Sequence, residues 1–169
     1  MHAISTSPNR VSKLSRSLGI QNRFAIFSPL PLRLIVGFGF IQHGYAKLNR
    51  GPELFATTLH GLSVPAPHLM AWLTILIELI GGLAVLVGCF IPLFALPMTA
   101  VLLVAMFSVH LQFGFSSIKL ISVNAGHPQF GPPGYECDLL YLACLIALVI
   151  SGAGPLSADG LLARRVNHE

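Results

Sequence analysis

Glu78 is an acidic residue in the middle of a long apolar run. The segment from Leu69 to Cys89 contains no other charged side chain. In a helix that rises 1.5 Å per residue, Glu78 would lie roughly 13 Å from either end, close to the middle of a bilayer. A charge at that depth costs a few kcal/mol. Such a residue is therefore expected to be paired, protonated or used in proton transfer.

Other ionisable side chains near the ends of apolar runs are candidates to act together with Glu78: Arg33, His43, Lys47, His110 and Glu136. His43 and Lys47 are four residues apart and therefore share one face of a helix. Histidine and lysine can donate hydrogen bonds to a ligand carbonyl, and a nearby acid can accept or relay a proton. The pattern predicts a polar site with Glu78 and His43 in the direct roles and the other residues as binding groups.

Each candidate also has an ordinary structural interpretation. Glu78 could be a buried acid that pairs with Arg33 or Lys47 and fixes the register of two helices. The two basic side chains could instead extend to the lipid headgroups. Glu136 and Asp138 fall where a helix is expected to begin, and acids are favoured there by the helix dipole alone. The two histidines could be packing residues.

A metal site is a further chemical possibility. Two histidines and two acids would supply the donors, and helix bundles do hold metals with such sets: His43, His110, Glu78 and Glu136. However, the chain has no Glu-x-x-His pair or other close ligand spacing, and its three cysteines show no CxxC pattern. No metal is therefore predicted.

The composition identifies the class of protein. Apolar residues make up 54% of the chain and charged residues only 9%, with a mean hydropathy of +0.75. About a quarter of the residues in a soluble domain are charged, so this chain lacks the polar surface for water. We expect an integral membrane protein whose main partner is the lipid bilayer. The net charge of +4 lies mostly in the terminal tails and does not indicate nucleic-acid binding.

The apolar pattern predicts four helical spans, at about 26–46, 68–88, 92–112 and 136–152. Pro29 and Pro92 suit helix starts, and the Gly-Ala-Gly-Pro sequence ending at Pro155 suits the last helix end. The short uncharged turn between the second and third spans requires an antiparallel hairpin. The predicted fold class is all-α, an integral membrane up-down four-helix bundle.

Basic residues predict the orientation of the bundle. Most Lys and Arg side chains lie in the two tails rather than in the long loops at 47–67 and 113–135, so both termini are expected in the cytoplasm. Residues 1–25 are expected to form a disordered basic cytoplasmic tail, 26–155 the transmembrane domain and 156–169 a short cytoplasmic tail. Five polar side chains then gather in the outward half of the bundle, with Glu78 as the floor: His43, Lys47, His110, Glu136 and Asp138. Arg33 is expected towards the cytoplasmic side.

Glycines predict where the helices touch. They cluster in the first two spans: Gly37, Gly39, Gly44, Gly81 and Gly82. Small residues let membrane helices approach closely. We therefore expect spans one and two to pack through these glycines, which would bring the acid of span two towards the His43 and Lys47 face.

Several of these residues form an ordered pattern. Span one contains Arg33-x3-Gly37-x5-His43-Gly44-x2-Lys47-Leu48, and span two contains Glu78-x2-Gly81-Gly82 followed by Gly88. Further along are Glu136-x3-Leu140-Tyr141 and Gly152-x-Gly154-Pro155-Leu-Ser157-x-Asp159. In order and spacing the pattern resembles the DoxX family of small four-span bacterial inner-membrane proteins, over residues 29–162.

The resemblance implies a multi-pass protein of the bacterial inner membrane with a connection to redox chemistry. Some family members are membrane partners of redox enzymes in oxidative-stress defence, and relatives include a subunit of thiosulfate:quinone oxidoreductase. The family's polar positions carry over to Arg33, His43, Lys47, Glu78, Glu136 and Asp159, with His110 a weaker match.

Two functions follow as hypotheses. The first is an accessory subunit of a membrane oxidoreductase that binds a quinone non-covalently. Since the chain has no obvious redox centre of its own, its electrons would come from a partner protein. The second is a non-catalytic membrane scaffold or small-solute conduit, in which Glu78 forms a structural salt bridge.

Overall fold

Seven α-helices and one β-hairpin form the part of the chain that the computed structural model describes, residues 25–166. The helices are α1 (Pro29–Arg50), α2 (Pro52–Gly61), α3 (Pro67–Leu76), α4 (Gly82–Val87), α5 (Ile91–Ala105), α6 (Glu136–Ser151) and α7 (Ala158–Val166). Two π-helical segments, π1 (Ile77–Gly81) and π2 (Met106–His110), continue α3 and α5, and a 3-10 turn follows at Leu111–Phe113. The strands are β1 (Leu120–Asn124) and β2 (His127–Phe130). The predicted basic tail lies almost entirely outside the described residues.

Prolines and glycines set the helix boundaries. Helices α1, α2, α3 and α5 all have proline in the first two positions, where its missing N–H costs no helical hydrogen bond. Helices α4 and α6 end at Gly88 and Gly152, whose φ angles of +72° and +74° suit glycine. The four predicted spans therefore correspond closely to observed helices.

Helix α1 packs antiparallel against the continuous stretch α3–π1–α4, and glycines form the contact. A Cβ atom on Gly37 would stand 2.7 Å from the carbonyl oxygen of Gly82, and one on Gly82 would stand 2.8 Å from that of Gly37. Nearer the other end, a Cβ on Gly44 would stand 3.0 Å from the Cβ of Glu78. The predicted packing of spans one and two is confirmed for Gly37, Gly44 and Gly82. The other two glycines face different helices, Gly39 towards Tyr141 of α6 and Gly81 towards Met98 of α5.

The core lies where α1, α4, α5 and α6 meet. Its buried members are aliphatic, aromatic and methionine side chains: Val36, Phe40, Val85, Ile91, Ala95, Met98, Leu102, Leu145 and Leu148. This apolar centre holds the helices in one arrangement, with the C-terminal end of α1 beside the N-terminal end of α6. The polar residues of interest lie at the two ends of this core.

Two continuous helical stretches are long and apolar enough to cross a membrane. They are Pro67–Val87 and Ile91–Phe113, with mean hydropathies of 2.2 and 2.1. Helix α1 has 22 residues but carries more charged side chains than these two stretches, and α6 has only 16 residues. Membrane crossing by α1 and α6, and the cytoplasmic location of both termini, stay predictions.

The two long loops contain structure that the sequence analysis did not predict. Loop 47–67 holds α2, which packs on α3. Loop 113–135 holds the antiparallel β1–β2 hairpin, so the all-α description is correct for the bundle and incomplete for this loop. The hairpin turns at Ala125 and Gly126, whose φ angles of +49° and +82° match a two-residue turn with both central residues at positive φ.

Candidate functional site

Glu78 is held by Lys47 in a buried ion pair. The Nζ atom of Lys47 lies 2.6 Å from both carboxylate oxygens of Glu78. The Glu78 side chain is only 5% exposed and that of Lys47 is 26% exposed. Of the two partners that the sequence left open for Glu78, the structure therefore places Lys47 beside it.

The helix around Glu78 is locally π-helical. Segment π1 spans Ile77–Gly81 and fits one extra residue into the helical turn, a feature that occurs frequently at functional sites. Within this turn Glu78 faces α1. Gly82, which follows directly, makes the close backbone contact with Gly37. No periodicity in the apolar run indicated the π-helical turn.

A second polar pair joins α6 to the end of π2. The Nδ1 atom of His110 lies 2.6 Å from the Oδ2 atom of Asp138. The Asp138 side chain is 8% exposed and that of His110 is 28% exposed, so the histidine retains access from outside. Each of the two pairs thus has one member in a π-helical segment and the other on a neighbouring helix. From the sequence, Asp138 was expected in the outward polar group or as an acid favoured by the helix dipole, without His110 as its partner.

His43 and Tyr141 lie between the two pairs. Their rings meet edge to face with centroids 6.3 Å apart, and Tyr141 also packs against Phe40 at 5.6 Å. The His43 side chain is exposed and close enough to Lys47, Asp138 and His110 to feel their charges. The structure therefore brings His43, Lys47, Glu78 and His110 to one end of the bundle, as the sequence predicted.

Tyr141 was not among the predicted site residues. Its hydroxyl lies against the backbone of Gly39, so closely that a Cβ atom there would collide with it. The available signal was its place next to Leu140 in the sequence pattern that resembles the family.

Helix α2 covers the Lys47–Glu78 pair on one side. The Nζ atom of Lys47 lies 5.3 Å from the centroid of the Phe55 ring, a cation–π distance. Lys47 is therefore held between a carboxylate and an aromatic ring. This position explains why its charge is tolerated partly out of water.

Two predicted site residues lie elsewhere. Glu136 accepts a hydrogen bond at 2.9 Å from the backbone N–H of Ser117 and so ties the hairpin loop to the start of α6. Arg33 lies at the opposite end of the bundle, where it donates to four backbone carbonyls of the α4 end and the α6–α7 connection: Val85, Leu86, Ala153 and Leu156. Neither residue contributes to the cluster around Glu78.

Asp159 also belongs to this opposite end. Its Oδ2 atom accepts a hydrogen bond at 2.9 Å from the backbone N–H of Phe90, in the turn between α4 and α5. Its own backbone N–H donates to the carbonyl of Gly88 at 3.2 Å. Asp159 therefore anchors α7 to the α4–α5 turn, and its family-like position is explained by this structural role.

Comparison with known proteins agrees with the sequence pattern. Residues 28–111, about half of the chain, match the family model of DoxX. The matched region holds both members of the Lys47–Glu78 pair as well as His43 and His110, and it ends before α6. No curated protein and no solved structure matches the chain.

Proposed function

The chain belongs to the DoxX family of membrane proteins, and we propose that it is a redox-associated, quinone-linked subunit of a membrane oxidoreductase. The observation that carries this proposal is the His110–Asp138 pair, which lies at the same end of the bundle as the exposed His43 and its ring contact with Tyr141 of α6. We call His43, His110, Asp138 and Tyr141 the histidine cluster.

The proposal includes a four-span topology in the bacterial inner membrane, with both termini in the cytoplasm and the histidine cluster facing outward. The outer faces of the bundle helices are apolar, including those of α1, which is more polar in composition, and α6, which is shorter. Ile35 on α1 is 60% exposed and Ile150 on α6 is 81% exposed, and Leu96 on α5 is 77% exposed. Large exposed aliphatic side chains on several faces of one bundle are suited to contact with lipid chains.

The histidine cluster fits the headgroup of a quinone. With Asp138 ionised, the hydrogen on His110 is held at Nδ1, and the carboxylate fixes both the tautomer and the orientation of the ring. The Nε2 atom of His110 and the ring of His43 are then the groups that can hydrogen-bond the ligand oxygens. Tyr141 packs against His43 and limits the positions of its ring.

A bound quinone would supply two-electron, two-proton redox chemistry, with the electrons coming from a partner protein. The role of the chain is to hold and exchange a proton at the Nε2 atom of His110. Asp138 stabilises the imidazolium that forms when this atom is protonated, as an acid does for a histidine base in other sites. We therefore assign the proton role to His110 and Asp138 rather than to Glu78, whose two oxygens are both held by Lys47.

The Lys47–Glu78 pair supports a second candidate, a non-catalytic scaffold or small-solute conduit. A fully bonded acid between two helices fixes their register and needs no ligand. Under this function the pair is the main polar feature, and the histidines are packing residues. The two candidates differ in what replacement of the histidines would change.

The test is a quinone binding and reduction assay on membranes that contain the full chain. If His43→Ala and His110→Ala weaken both quinone binding and reduction, the first function is supported. If both variants fold and leave binding and reduction unchanged, the histidine cluster is not a quinone site and the scaffold remains.

A further inference from the structure

A cavity opens at the end of the bundle opposite the histidine cluster. It holds about 510 Å³ and lies between the end of α4, the α6–α7 connection and α7. Two arginines stand on walls that are otherwise mostly apolar: Arg33, Val87, Pro155, Leu156, Leu161 and Arg164. No acidic side chain lines this cavity.

Arg33 brings a buried positive charge to the cavity wall. A guanidinium carries five N–H donors, and four of those on Arg33 bond to backbone carbonyls at 2.7–3.3 Å. One hydrogen of Nη2 has no acceptor among the described residues. These four partners are neutral, so they fix the guanidinium without cancelling its charge.

Asp159, the acid that acts on Arg33 electrostatically, is hydrogen-bonded to another part of the chain. Its Oδ2 atom accepts the N–H of Phe90, and it makes no ion pair with Arg33 within residues 25–166. The cavity therefore has a net positive wall and is suited to an anion.

Helix α7 supplies the second cation and a position at the membrane surface. Arg164 is exposed and lines the cavity, while Leu161 and Leu162 are 60% and 53% exposed. A short helix with exposed leucines and adjacent arginines is typical of one that lies in the headgroup region. The wall residue Val87 is the last residue of a stretch that is apolar enough to cross a membrane, so the cavity lies at headgroup level.

We propose that this cavity binds the phosphate-bearing headgroup of an anionic membrane lipid, with Arg33 and Arg164 as the phosphate ligands and the apolar walls against the start of the acyl chains. The remaining N–H of Arg33 can donate to one phosphate oxygen, and the exposed guanidinium of Arg164 can form paired hydrogen bonds to the phosphate. Basic pockets between helices on the cytoplasmic side suit such headgroups. The lipid site rests on the proposed membrane topology and does not depend on quinone binding at the other end.

The experiment is native mass spectrometry of the full chain in detergent, titrated with phosphatidylglycerol or phosphatidylcholine that carry the same acyl chains. We expect phosphatidylglycerol to bind more tightly than phosphatidylcholine, because only its headgroup carries a net negative charge. Arg164→Ala should weaken its binding about tenfold, because it removes charge-assisted hydrogen bonding to the phosphate in the cavity. The matched control is Arg165→Ala, because Arg165 is an adjacent arginine that is also exposed but does not line the cavity. It should stay within about twofold of the parent chain.

Three results would overturn the proposal. The two lipids could bind equally, which would remove the requirement for a net negative headgroup. Arg164→Ala and Arg165→Ala could lose the same affinity, which would indicate diffuse attraction to a basic helix rather than a site in the cavity. Inorganic phosphate at the same concentration could displace phosphatidylglycerol, which would make the ligand a free anion instead of a lipid.

Discussion

The Nζ atom of Lys47 lies 2.6 Å from both carboxylate oxygens of Glu78, so the acid in the middle of an apolar helix is one half of an ion pair. Removal of one member of a buried pair leaves the other uncompensated, whereas replacement of both does not. The relative exposure of the two side chains therefore decides which single substitution, at Lys47 or at Glu78, destabilises the protein more.

Lys47→Met should destabilise the protein by about 3 kcal/mol or more, because it leaves the almost fully buried Glu78 without its partner. Glu78→Gln should cost less, since Lys47 is 26% exposed and can move towards water. The double variant should recover most of the loss. Thermal unfolding in detergent measures all three, and Arg50→Met is the control, an exposed basic residue in the last turn of the same helix. Additive losses in the double variant would show that the two side chains are not coupled.

Gly37→Ala should destabilise the bundle by about 1–3 kcal/mol, a usual cost of overpacking. The new Cβ would stand 2.7 Å from backbone atoms of Gly82 and Leu86, which cannot move aside as a side chain could. Gly61→Ala is the matched control in α2, because nothing lies within 4 Å of its added Cβ. That variant should be neutral or slightly stabilising. Equal unfolding temperatures for both variants would contradict the close α1–α4 contact.

Gly39→Ala should also destabilise the protein, because its Cβ would collide with the hydroxyl of Tyr141. Tyr141→Phe removes that oxygen and should restore part of the stability in the double variant. A double-mutant cycle measured by thermal unfolding gives the coupling directly. A coupling energy of zero would mean that α1 and α6 do not meet at these two residues.

The sequence predicted some residues of this site but not the contacts between them. Glu78 could be recognised because a single charge in an apolar run must be accommodated, and the glycines near it correctly indicated the packing of α1 on α4. The partner of Glu78 stayed open because periodicity gives depth and face but not which cation reaches the acid. The π-helical turns left no signal, since one extra residue in a turn does not alter an apolar run.

The acids at the start of α6 illustrate a second limit. Glu136 and Asp138 are two residues apart, so they point about 200° apart around the helix and only one can face α5. The structure places Asp138 beside His110 and turns Glu136 to the backbone of Ser117. The rotation of α6 that makes this choice depends on packing against the core, which composition does not specify. Arg33 was grouped with the site by pattern alone, although its position in α1 puts it at the far end.

Asp138→Asn should weaken quinone binding and shift its pH dependence, because an amide holds His110 without stabilising a positive imidazolium. His110→Ala should remove the proton-exchanging group and weaken binding about tenfold, the loss of one charge-assisted hydrogen bond. A shift in the pH profile separates this role from simple packing, since a packing residue would alter stability at every pH.

The most direct test of the central claim is the affinity of the purified full chain for a short-chain quinone, compared between His110→Ala and His68→Ala. His68 is a matched control because its side chain is 73% exposed and paired with Glu53, outside the histidine cluster. We expect about tenfold weaker binding for His110→Ala and unchanged binding for His68→Ala. Equal affinities for the parent chain and both folded variants would contradict a quinone site in the histidine cluster.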